Sequence, residues 1–112
     1  MEQRKGLNST LKARGVEKIL ILGDEKNTKL AIMELKRGTI EIVGEIQFTN
    51  NEVTKLVPVI DIDEKLLEVV QTVDTILVTD ESNIVDILEA LHKVGIPMEK
   101  ITPLSFVVDE EV

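Results

Sequence analysis

Three apolar runs in this chain end in acid. Lys18-Ile19-Leu20-Ile21-Leu22 leads through Gly23 to Asp24-Glu25. Leu56-Val57-Pro58-Val59-Ile60 leads to Asp61-Ile62-Asp63-Glu64, and Thr75-Ile76-Leu77-Val78 leads through Thr79 to Asp80-Glu81. Ligands of an open α/β sheet sit beyond the carboxyl ends of its strands, and carboxylates gathered there are oxygen ligands for Mg²⁺ or Mn²⁺. Asp24, Asp63, Asp80 and Glu81 are therefore the candidate metal ligands. Two ions about 4 Å apart on Asp24, Asp63 and Asp80 would activate water and stabilise a leaving oxygen, the chemistry of a nuclease or phosphoesterase. The same residue types also cap helices and close turns. Asp61 and Glu64 have capping-box spacing, Asp24 suits an Asx-turn, and an N-cap role explains Asp80 without any ligand.

Other chemistries have little to work with. There is no Cys, hence no thiolate ligand, cysteine nucleophile or disulfide. His92 is the only histidine; it is expected at the surface near the end of a helix, with no catalytic partner in view. The loop Gly23–Lys29 lacks the second Gly and the Gly-Lys-Ser/Thr ending of a phosphate cradle, and its two acids oppose phosphate. Mg²⁺ or Mn²⁺, under the nuclease alternative, is the only cofactor expected.

The charge is unevenly spread. The chain carries 13 Lys and Arg against 21 Asp and Glu, a net charge of −8. Residues 1–18 hold five bases and two acids, and the remainder holds eight bases and nineteen acids. An acidic body repels phosphate backbones, so nucleic acid is not expected without a metal or the basic arm as intermediary. Phe48 and Phe106 are the only aromatics, too few for a stacking platform. No segment approaches the ~18 apolar residues of a membrane span, and the N-terminus has no apolar signal core, so a cytoplasmic address is expected.

The elements that must position these groups follow from periodicity. Residues 1–17 read as a flexible basic arm, 18–108 as a single α/β domain and 109–112 as an acidic tail. Lys18–Leu22 is apolar without alternation, as in a strand covered on both faces. Lys29–Leu35 reads as a second strand, joined by a Lys36-Arg37-Gly38 hairpin loop with Gly38 left-handed. In the third, Ile40, Ile42 and Ile46 share one face, while Thr39, Glu41, Val43 and Glu45 share the other. These three form an antiparallel meander. Leu56–Ile60 is an optional strand held to an edge by Pro58. A helix with Leu66, Val69, Val70 and Val73 on one stripe follows. Thr75–Val78 is a central parallel strand, and a helix capped by Asp80 or Ser82 and stopped by Gly95 and Pro97 comes next. Ile101–Val108 is the last strand. The fold expected is thus a mixed sheet, an antiparallel β-meander followed by α-β-α-β.

Two stretches resemble known families. Ile19–Ile32 followed by Gly38-Thr39-Ile40-Glu41-Ile42 resembles the opening hairpin of RNase H-like domains, in particular the Holliday-junction-resolvase and actin-like branch. Leu67–Val78 is similar to that branch's helix-then-strand passage. The resemblance implies this mixed-sheet order over about residues 18–108, with Asp24 and either Asp80 or Glu81 at catalytic positions. It also implies an incomplete motif: Gly23 precedes Asp24 instead of following it, and the last acid-bearing helix is missing. Asp74–Asn83 is similar to the strand–acid–helix segment of PIN-type ribonucleases, whose Rossmannoid sheet is the alternative fold, although Asn83 stands where that family has an acid.

The leading expectation is a small soluble non-enzymatic binding or assembly module. Its contacts would be the basic arm 1–17 and a sheet edge, where Glu41, Val43 and Glu45 on a free strand would pair with a protein partner or a second copy. The alternative is the divalent-metal-dependent nuclease or phosphoesterase.

Overall fold

The computed structural model describes residues 7–47, 54 and 56–103. Helix α1 (Leu7–Ala13) precedes strand β1 (Lys18–Leu22), helix α2 (Glu25–Leu35) and strand β2 (Glu41–Gln47). Strand β3 (Val59–Asp61), helix α3 (Glu64–Val70), strand β4 (Thr75–Val78), helix α4 (Ile84–Lys93) and strand β5 (Ile101–Pro103) complete the order. The strands form one sheet in the order β3-β2-β1-β4-β5, and every neighbouring pair is parallel.

The antiparallel meander expected from the sequence is therefore corrected. Lys29–Leu35 is the body of α2, not a strand. Its buried residues, Thr28, Ala31, Ile32 and Leu35, fall at i, i+3, i+4 and i+7, the spacing of a helix lying on a sheet. Asp24 caps the helix by accepting the Asn27 N–H. Lys36-Arg37-Gly38 is the helix's closing turn, with the Gly38 N–H donated to the Leu35 carbonyl. Positive φ is found instead at Gly15 (80°) and Gly95 (92°), which end α1 and α4. Once α2 is a helix, β1 and β2 can run parallel, because a parallel pair needs a crossover of this length.

Both faces of the sheet are covered. Ile19 and Ile21 pack with Leu11 of α1 and Ala31, Ile32 and Leu35 of α2. Leu20 and Leu22 pack with Leu66 and Val70 of α3 and Ile87 and Leu91 of α4. This three-layer arrangement is why β1 and β4 read as unbroken apolar runs. In β2 the expected alternation breaks. The register shifts opposite Ile19 and Leu20, so Ile42 faces the α2 layer while Val43 and Ile46 face the α3–α4 layer.

Of the basic stretch at 1–17, residues 7–13 form α1, and Leu11 and Val16 are buried. Phe48, Phe106, the second half of the expected last strand and the acidic tail lie outside the described residues. No described helix is long and apolar enough to cross a membrane.

Candidate functional site

The sheet reverses its winding between β1 and β4. β1 connects through α2 to the neighbour on one side, and β4 connects through α4 to the neighbour on the other. At such a switch point the two following loops diverge and leave a crevice at the carboxyl ends of the strands. Gly23-Asp24 and Thr79-Asp80 occupy it.

The floor of that crevice is tightly closed. A β-carbon on Gly23 would overlap the Thr79 hydroxyl oxygen and come within 2.7 Å of the Asp80 nitrogen. The Thr79 N–H donates to the Leu22 carbonyl at 2.8 Å, carrying the β1–β4 pairing one residue further. The buried hydroxyls of Thr28 and Thr79 are 2.8 Å apart and share a hydrogen bond. Glycine at position 23 is thus required for close approach, and two threonines tie the start of α2 to the end of β4. The sequence reading missed Thr28 and Thr79. The available signal was a small polar residue one helical turn after a capping Asp.

Three of the candidate carboxylates, those of Asp24, Asp63 and Asp80, have local hydrogen-bond partners. Asp24 accepts the Asn27 N–H on one oxygen (3.1 Å) and the Asn27 side-chain amide on the other (3.0 Å). Asp80 accepts from the Ser82 hydroxyl at 2.7 Å and from the Asn83 amide at 2.9 Å. Desolvation pushes the Asp80 carboxyl up, but the hydrogen bonds from Asn83 and Ser82 together outweigh it and hold the group below its ordinary value. Asp63, rather than Asp61, is the N-cap of α3, and accepts the Lys65 N–H at 2.9 Å. Residue 81 opens the short 3-10 turn Glu81–Asn83 that leads into α4.

Asp24 and Asp80 therefore meet at the switch point, while Asp63 does not join them. β3 lies two strands from β1 and three from β4. At about 4.8 Å per strand this places the end of β3 roughly 10 and 14 Å from the other two strands. Among the described residues no three His, Asp or Glu side chains converge as a metal site. Asp63 thus stands on a different part of the sheet from the Asp24 and Asp80 that the two-ion reading joins to it. His92 is exposed in the last turn of α4.

The free edge expected at Glu41, Val43 and Glu45 is also corrected. β2 is an interior strand between β1 and β3. Glu45 is buried, and its carboxylate accepts from the Thr54 N–H (2.9 Å) and hydroxyl (2.7 Å), fastening the β2–β3 connection. The edges are β3 and β5, each three residues long among the described residues. Such short edges offer little backbone for pairing.

Two further surfaces stand out. A groove of about 760 Å³ lies against α4 and the ends of β2 and β3; Gln47, Asp61, Asp86, Glu89 and Lys93 are among its lining residues. On α2, Leu30 and Met33 are 57% and 54% exposed. Lys26, Leu30 and Met33 follow one another at i, i+4 and i+7, opposite the buried stripe, with Lys29 exposed alongside. Glu25 and Glu34 are exposed on the same helix, and Lys36 and Arg37 are exposed just past its end. The sequence reading could not find this face because it treated the segment as a strand.

Comparison of the chain with protein-family models, curated proteins and solved structures gives no match.

Proposed function

We propose that this chain is a non-enzymatic assembly module that binds a protein partner through the solvent face of α2. The observation that carries the reading is the pair Leu30 and Met33, one turn apart and each more than half exposed, set among the exposed charges Glu25, Lys26, Lys29, Glu34, Lys36 and Arg37. An apolar centre with a charged rim is the anatomy of a contact surface, in which the apolar anchors give affinity and the rim gives orientation. Four bases against two acids leave the rim net basic, which favours a partner surface with an excess of acid.

The state of the carboxylates supports the same reading. Asp24 and Asp63 cap helices, and Asp80 holds the turn that starts α4. Each has a structural task that accounts for its position. Asp24 also places its own carboxylate at the start of α2, where a bound anion would otherwise sit.

The test is retention of protein on the immobilised chain, with Leu30→Ser/Met33→Ser as the comparison. Both side chains face solvent, so the double variant should keep its melting temperature. A partner held by the native chain and released by the variant is the expected result. Identical retention by both chains would refute the assignment of the surface.

A further inference from the structure

We draw no further inference here: the strongest candidate, the groove of about 760 Å³ against α4 and the ends of β2 and β3, is a cluster of the acids Asp61, Asp86 and Glu89 with Lys93 beside them, and no second feature of the structure points to a ligand there.

Discussion

At Gly23 the ends of β1 and β4 come so close that no side chain fits between them. Gly23→Ala must push the Thr79 hydroxyl or the Asp80 backbone aside, and overpacking of this kind costs about 1–3 kcal/mol. A clear fall in the thermal midpoint is expected; an unchanged midpoint would show that the crevice floor is looser than described. Thr79→Val keeps the shape but leaves the buried Thr28 hydroxyl without its partner, at a cost of about 1–3 kcal/mol. In the double variant Thr28→Val/Thr79→Val both hydroxyls are gone, so its loss in a denaturant titration should be smaller than the sum of the single losses. Asp74 acts at the opposite end of the same strands. Its carboxylate accepts the Glu17 and Lys18 N–H groups at 2.8 and 3.0 Å, and these bonds, Glu17 first, hold its pKa below the ordinary 3.8. A carboxyl whose folded pKa is depressed contributes stability above its unfolded value and loses it as pH falls through the folded one. Asp74→Asn should therefore melt below the native chain at neutral pH, and the gap should close under acid conditions below about pH 4. A gap of constant size across that range would mean that the charge of Asp74 does not hold the strands.

At the scale of elements, α2 decides the fold. Its run Lys29-Leu30-Ala31-Ile32-Met33-Glu34-Leu35 holds four consecutive apolar residues, which suit a covered strand as well as a helix, and the sequence alone reads as a strand there. The discriminating feature was Thr28, a polar residue that is buried and completes the i, i+3, i+4, i+7 stripe. Polar residues are usually counted against a core, so the period was hidden. The segments α3, β4 and α4 were legible because their stripes are apolar and Gly95 and Pro97 mark the end of α4. The caps differ: Asp63 stands at the start of α3 in place of Asp61, and Asn83, without a side-chain cap bond, at the start of α4 in place of Asp80 or Ser82. The bulge that flips β2 was not legible, since it arises from pairing with β1. Spacing put Asp24 and Asp80 just past their strands, but their engagement by Asn27, Ser82 and Asn83 depends on local turn geometry that spacing alone leaves open. The first helix offers a direct check on the packing. Leu11 is fully buried against the β1–α2 layer, so Leu11→Ala should cost about 2–5 kcal/mol in chemical denaturation. A loss under about 0.5 kcal/mol, typical of surface positions, would detach α1 from the core.

At the scale of the whole molecule, the three-layer fold leaves the outer face of α2, with Leu30 and Met33, open to solvent, and the proposed binding role rests on that face. The most direct measurement is methionine oxidation by dilute peroxide, read residue by residue by mass spectrometry. Met33 and Met98 are 54% and 60% exposed, one on the proposed contact face and the other in the short turn before β5. In dilute purified protein the two should oxidise at comparable rates. In the extract of cells that make the chain, Met33 should become markedly slower while Met98 is unchanged. If the ratio of the two rates stays the same in every setting, the α2 face is uncovered and the account is wrong.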